Sequence, residues 1–348
     1  MSLGDMTPKE RVMAAIYDHD LDFFPAICPT SVANFECMRL TNSFFPKAHF
    51  DAQSMADLAA SAHHVLGFDT VMPYFSVHLE AEVLGCTISW GDGTVMPVIT
   101  KRPFDRVEQF EPPANFLNRP LCKQLLKAIR LLKKQSGGEV GIIGKVVGPW
   151  SLAYNLYGAE NLLLDTILEP KRTFNFINEL SSIPIEFAKA QFEAGADMIT
   201  WADHVTSDLI SAKLYEEFVL PIHKIAAAKL ENRGPIILHI CGNVMDRLDL
   251  IKKTGFKIFH IDSRNDIQKA VEICSDNILL TGSINNPYTL TNGSTSDVKK
   301  EVRRNIEQGI KLISPECAIP FKVPNANLLE LVNSIHRAPL SSLGKTKS

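Results

Sequence analysis

Residues 235–242 read Pro235-Ile-Ile-Leu-His-Ile-Cys-Gly242. So short an apolar run predicts a buried β-strand. Side chains along a strand alternate between its two faces, so residues two apart point the same way. His239 and Cys241 therefore share a face and can grip one ion together. A third donor, Cys317, lies far downstream in Leu312-Ile-Ser-Pro-Glu-Cys-Ala-Ile319. Three protein ligands leave a tetrahedral zinc one position short, and an open position marks a catalytic rather than a structural site. The spacing alone also fits a hydrogen-bonded core histidine beside two buried thiols, so a lone His-x-Cys does not decide between them.

Outward from that strand, short runs rich in Val and Ile alternate with longer amphipathic segments, the pattern of βαβ units and a parallel sheet. Candidate strands fall at 24–27, 70–72, 140–147, 197–201, 236–241, 257–261, 277–282 and 311–314. Helices are expected at 206–230 with Pro221 opening a second half, at 243–254, at 265–274, at 297–308 with Ser296 as N-cap, and at 325–337. Eight strands each followed by helix predict an α/β fold of the (β/α)8 TIM-barrel type, one domain over residues 1–348. The segment 82–100 departs from this pattern: two apolar runs flank Gly91-Asp92-Gly93, which predicts a β-hairpin insertion. Residues 344–348 read as a frayed tail.

Barrel active sites form at the C-terminal ends of the strands. His239, Cys241 and Cys317 all fall there, at one mouth. Two carboxylates join them: Asp203 after the fourth candidate strand and Asp262 after the sixth. Each suits a general base, a partner for a metal-bound imidazole or a weak fourth ligand. Each also suits a helix cap or a solvated rim position. The turn Thr281-Gly-Ser-Ile-Asn-Asn286 offers Gly282, Ser283 and Asn285 as backbone donors for a phosphate or sulfonate, or is a plain turn. Gly144-Lys145-Val-Val-Gly-Pro-Trp150 is another small-residue turn at this mouth and matches no nucleotide motif. His63-His64 sits in a helical run and reads as a surface or packing pair.

The bulk numbers narrow the class. The 348 residues carry a formal charge of −3, which provides no basic field for nucleic acid or an anionic membrane. The N-terminal residues lack an apolar core of signal-peptide length, and no stretch approaches the roughly 20 apolar residues of a membrane span. A cytoplasmic enzyme is the expectation. Seven cysteines without regular spacing are no disulfide framework. Cys28, Cys37, Cys86, Cys122 and Cys274 read as buried packing residues.

Several stretches together resemble a known family: Thr7-Pro-Lys-Glu-Arg-Val-Met-Ala-Ala15, Asp22-Phe-Phe-Pro25, Ala194-Gly-Ala-Asp197, Tyr215-Glu-Glu-Phe-Val-Leu-Pro-Ile-His223 and His239-Ile-Cys-Gly-Asn243. Over nearly its whole length the chain resembles the uroporphyrinogen decarboxylase superfamily, whose fold is a (β/α)8 barrel. Within that superfamily, His-x-Cys with a distant Cys is the zinc signature of the methylcobamide:coenzyme M methyltransferases. It falls here on His239, Cys241 and Cys317. The decarboxylase itself fits poorly: it grips porphyrinogen carboxylates with an arginine-rich N-terminal motif, whereas after Phe24-Pro25 this chain has no arginine until Arg39. The methyltransferases usually surround the distal cysteine with glycine; this chain has Pro315-Glu-Cys-Ala-Ile-Pro320.

The resemblance implies one zinc ion per chain and methyl transfer from a methylated corrinoid to the thiol of coenzyme M, as in methylotrophic methanogenesis. The corrinoid would arrive on a separate protein, since nothing here resembles a cobalamin-binding loop. The ligand chemistry agrees with such a reaction. A thiolate is the nucleophile where a thiol is not, and two cysteine ligands neutralise the ion so that a third sulfur stays electron-rich. A different thiol such as homocysteine, decarboxylation of a porphyrinogen, and a non-enzymatic barrel whose zinc is structural or absent are the competing readings.

Overall fold

The computed structural model describes residues 6–274 and 277–344. Its centre is a seven-stranded parallel sheet. In chain order the strands are β1 (Thr70–Val71), β4 (Gly141–Val147), β5 (Met198–Ala202), β6 (Ile236–Ile240), β7 (Ile258–Ile261), β8 (Leu279–Ile284) and β9 (Leu312–Pro315). They pair in that same order. Two further strands, β2 (Thr87–Ser89) and β3 (Val98–Lys101), pair antiparallel elsewhere. Every residue of β4, β6, β7 and β9 is buried, as expected when helices cover the outer face of a curled parallel sheet. Among the described residues no helix is long and apolar enough to cross a membrane.

The eighth expected strand, at 24–27, shrinks to a single bridge. Ala26 pairs in parallel with Ile313, and Ile27 donates its N–H to Ile313 O at 3.1 Å. On the other side Asp69 donates its N–H to Ala26 O at 2.8 Å. Residue 26 thus links β9 to the segment that enters β1. Pro25 and Pro29 have no N–H to give a ladder, which stops the strand from growing either way. The hairpin is also narrower than 82–100. Glu82 belongs to the helix Leu79–Val83, and pairing starts only at Thr87. Gly91 and Gly93 take φ of 69° and 92°, the left-handed values a tight turn asks of glycine.

Local chemistry moves several helix boundaries. The last-but-one long helix runs Thr295–Glu307, and its cap is Ser294, which forms a capping box with Asp297. Ser296, the expected cap, lies inside it. The segment expected to be helical from 206 begins only after Ser211, which accepts the Leu214 N–H. It then runs on through a π-helical stretch at Tyr215–Val219 into Leu220–Leu230, with Pro221 in its first turn. Of the expected tail, Gly344 donates its N–H to Ile306 O at 3.0 Å, and 345–348 lie outside the described residues.

The foot of the sheet is stitched by one buried guanidinium. Arg11, in the helix Pro8–Ile16, meets Asp22 through Nε at 2.7 Å and Nη2 at 2.9 Å, and Asp69 through Nη1 at 2.6 Å. Asp69 accepts in turn from the Ala26 N–H at 2.8 Å and meets His336 Nε2 at 2.9 Å. The first helix, the bridging residue 26, the entry to β1 and the closing helix Asn325–His336 therefore share a single network.

Candidate metal centre

Parallel register fixes what each strand presents. Ala202 of β5 pairs with His239 of β6, and His239 pairs with His260 of β7. Paired residues point to the same side, so His239 and His260 stand together, their ring centroids 4.5 Å apart. Cys241, two residues on, follows on the same face just past the strand. Cys317 comes in from the far side of β8, two residues beyond the end of β9. The Cys241 thiol donates to Cys317 Sγ at 3.1 Å, and Cys317 Sγ lies 3.6 Å from His239 Nε2. The three ligand atoms all lie within 4.8 Å of one another. His239 is buried, while both thiols are half-buried and reachable. The hydrogen bond from Cys241 holds the Cys317 thiol well below its ordinary range and pushes Cys241 up in return.

One nitrogen and two sulfurs at these separations suit a zinc ion, whose bonds run about 2.0–2.1 Å to nitrogen and about 2.3 Å to sulfur. The histidine states fit as well. The Pro315 carbonyl, 2.7 Å from His260 Nε2, can only accept, so that nitrogen carries the proton. Burial keeps His260 neutral. Nδ1 of each ring is buried without a partner among the described residues.

The two carboxylates brace the site. Asp262 Oδ2 accepts the Gly242 N–H at 2.8 Å, and Oδ1 accepts the Arg264 N–H at 2.9 Å. Gly242 has φ +106°, and a Cβ there would stand 2.4 Å from Thr206 Oγ1. The turn after Cys241 thus depends on glycine and is pinned to the end of β7. Asp262 is not in the cluster that His239, Cys241 and Cys317 form. Asp203 Oδ1 accepts from the Ser151 N–H and Oγ at 2.8 and 2.9 Å, and Oδ2 meets His223 Nε2 at 3.1 Å. Its charge therefore rests on the N-terminal turn of the helix Pro149–Tyr157, where the helix dipole favours an anion. Glu316 turns away from its neighbour Cys317. Its Oε1 accepts the Asn286 N–H at 2.9 Å and its Oε2 the Ser263 N–H at 3.1 Å, tying the ends of β7, β8 and β9 together.

The β8 turn has internal partners for its donors. The N–H and Oγ of Ser283 both donate to Asn305 Oδ1, at 3.1 and 2.9 Å, and Asn285 gives its N–H to Glu301 at 3.2 Å. Gly282, at φ +136°, lets the chain pass where a Cβ would meet Ile261 O at 2.4 Å. His63 closes the helix Ala52–His64 with its Nδ1 2.8 Å from Phe68 O, far from this cluster in the chain.

Sequence reading assigned no role to three buried groups close by. Lys145 lies in the middle of β4 and is 5% exposed, Glu80 is fully buried, and Tyr74 donates to Glu80. A charged residue inside the buried run Gly-Ile-Ile-Gly-Lys-Val-Val was a signal for Lys145. Nothing in the sequence singles out Glu80, which sits in a five-residue helix. Burial raises the Glu80 carboxyl from 4.5 to about 7, against hydrogen bonds from Tyr74 and Val147 and the Lys145 charge. A carboxyl whose native pKa lies above its unfolded one favours folding most in acid. That contribution is intact below 4.5 and is lost as pH rises through about 7. It amounts to roughly 3 kcal/mol across the window. Urea denaturation at a series of pH values should show wild type losing that stability relative to Glu80→Gln; parallel pH profiles would contradict it.

Residues 7–338 match the uroporphyrinogen decarboxylase (URO-D) family model. The chain belongs to the uroporphyrinogen decarboxylase family. Within the family it is 34% identical over 336 residues to a methylcobamide:CoM methyltransferase, MtbA, of Methanosarcina acetivorans, covering 95% of this chain and 98% of that one. It is 31% identical to a methylated-thiol–coenzyme M methyltransferase of Methanosarcina mazei, over 97% of this chain and 91% of the relative. Identity to the uroporphyrinogen decarboxylase of Syntrophotalea carbinolica is lower, 23% over 81% of this chain and 83% of that enzyme. A solved methyltransferase from Methanosarcina mazei superposes with a TM-score of 0.91 at 28% identity, covering 95% of this chain and 98% of that one.

Proposed function

We propose that this chain transfers a methyl group from a methylated corrinoid, carried by a separate protein, to the thiol of coenzyme M. The observation that carries the reading is the convergence of His239, Cys241 and Cys317 within 4.8 Å at the strand ends. The methyltransferase relatives support it through the acceptor and donor in their names. We read the seven strands plus the bridge at Ala26 as one (β/α)8 barrel domain over 1–348, with the β2–β3 pair as its insertion.

His239, Cys241 and Cys317 would hold one zinc ion. When bound, it supplies the Lewis acidity that keeps an incoming thiol deprotonated and nucleophilic. Asp262 and Glu316 hold the turns that carry the two cysteines, so the sulfurs need little reorganisation when substrate arrives. Asp203 anchors the neighbouring helix. In the transfer the new S–C bond forms as the Co–C bond breaks, cobalt keeps the electron pair, and the thiol proton leaves to solvent.

A corrinoid protein must dock at the same mouth. The hairpin favours this position: Trp90 packs on His49 at 4.9 Å, His49 on Phe45 at 4.3 Å, and Phe45 on Phe321 at 5.5 Å, four residues past Cys317. Val95, Met96 and Val98 on the hairpin are more than half exposed, as an apolar docking edge needs to be. The test is incubation of zinc-loaded protein with methylcobalamin and either coenzyme M or homocysteine, following cob(I)alamin by absorbance. Methylation of coenzyme M in preference to homocysteine is expected. Methylation of neither thiol would overturn the reading.

A further inference from the structure

The sheet face that carries the metal ligands also carries a buried lysine. Lys145 pairs with Thr200, and Thr200 with Ile237, two residues before His239. That register puts Lys145 on the sheet face that carries the metal ligands. Its backbone is clamped. Pairing of β4 with β1 stops at Ile142. Beyond it, the buried Gln191 side chain accepts the Lys145 N–H at 2.9 Å and donates to its carbonyl at 2.8 Å. Glu80 Oε1 takes the Val147 N–H at 2.9 Å. Gly144 makes room for the clamp, since a Cβ there would stand 2.4 Å from Gln191 Oε1.

The ammonium itself has no such partner. Among the described residues no atom accepts a hydrogen bond from Nζ, which lies 5.3 Å from the centroid of the Tyr74 ring. Of the groups whose negative charge would favour the ammonium, Cys317 comes first and Glu80 next. Glu80 is already engaged by Tyr74 and Val147. Lys145 is 5% exposed and its Nζ is not among the enclosed unpartnered atoms, so an anion from outside can reach it. The donors of the β8 turn are taken internally by Asn305 and Glu301, and Arg264, the cation beside Gly242, is engaged by Asp262 and Asp208, whereas Lys145 has no such pairing among the described residues.

Building on the methyl-transfer reading, we infer that Lys145 recognises the acidic end of the thiol substrate. Its ammonium pairs with a sulfonate or carboxylate a short carbon chain away from the sulfur, so the pocket selects anionic thiols over neutral ones. The probes are coenzyme M and 2-mercaptoethanol, which share a two-carbon spacer and differ in charge at the far end. Binding of each to the zinc-loaded full chain is measured by isothermal titration for wild type, Lys145→Met and Lys145→Arg, with metal content and melting curves as controls. Lys145→Met should weaken coenzyme M about 30-fold and 2-mercaptoethanol about threefold at most, the size of one lost charged hydrogen bond. Lys145→Arg should recover part of the preference. If Lys145→Met fails to load metal, Lys145→Gln is measured in the same way. An equal loss for both thiols would place Lys145 at the sulfur end and overturn the assignment, as would an unchanged preference. Selective binding without methyl transfer from methylcobalamin would count against the proposed reaction and leave the role of Lys145 standing.

Discussion

Cys317→Ala is expected to bring the metal content of the purified chain close to zero and to lower methyl transfer to coenzyme M about a thousand-fold, roughly 4 kcal/mol of transition-state stabilisation. Without Cys317, only His239 and Cys241 remain, both from the end of β6. Two donors on one strand do not surround an ion, and one thiolate leaves a divalent cation with uncompensated charge in a half-buried site. Cys241 also loses the neighbour to which it donates at 3.1 Å. The control is Cys274→Ala, which removes a buried thiol from the helix Ile267–Cys274 away from the cluster and should leave metal content and rate near wild type. Metal analysis together with the methylcobalamin assay reads both. A Cys317→Ala enzyme within about tenfold of wild type would mean that the cluster does not carry the reaction.

The second large effect concerns stability. Arg11→Met should destabilise the fold by roughly 3–5 kcal/mol, the cost of stranding buried partners of a removed charge. Asp22 and Asp69 are 5% and 2% exposed at the side chain, and the guanidinium serves both while also donating to the Met6 carbonyl at 2.9 Å. It further stacks 3.6 Å over the Phe23 ring. Arg11→Lys keeps the charge but loses the planar fork that meets two oxygens of Asp22 at once, so its loss should be smaller. Chemical denaturation of both variants decides. Equal stability of Arg11→Met and wild type would show that the network contributes nothing net, whereas the metal content of the folded fraction should not change in either case.

Much of the fold was legible because buried parallel strands have to be apolar. The run at 236–241 and its neighbours could be placed nearly to the residue; strand alternation and barrel geometry set His239, Cys241 and Cys317 at one mouth, and the family resemblance singled them out as a ligand set. What escaped was set by tertiary structure. The strand at 24–27 has the right composition, yet Pro25 within it and Pro29 just beyond allow only one bridge. Ser294 rather than Ser296 caps its helix because Asp297 reaches back to complete a capping box, a difference of two residues that periodicity does not resolve. Asp203 and Asp262 were visible as carboxylates at strand ends, but not their partners, which come from a helix and a turn distant in sequence. Lys145 was noticed only as part of a turn. Its meaning depends on the Gln191 clamp and on the nearness of Cys317, and no local pattern encodes either.

The bridge at Ala26 couples two events in the life of the chain. Ile313, which pairs with Ala26, and Cys317, which completes the ligand cluster, lie four residues apart on the last strand and the turn after it. Of the two partners of residue 26, Asp69 is synthesised long before Ile313, so the second side of the bridge cannot be filled until most of the chain has been made. The strand that takes up Ala26 is therefore the one that leads to the final donor sulfur. A nascent or truncated chain that stops before this strand has neither the Ala26 bridge nor the third donor of the cluster, so on the proposed zinc reading the ion is captured only after Cys317 has been made.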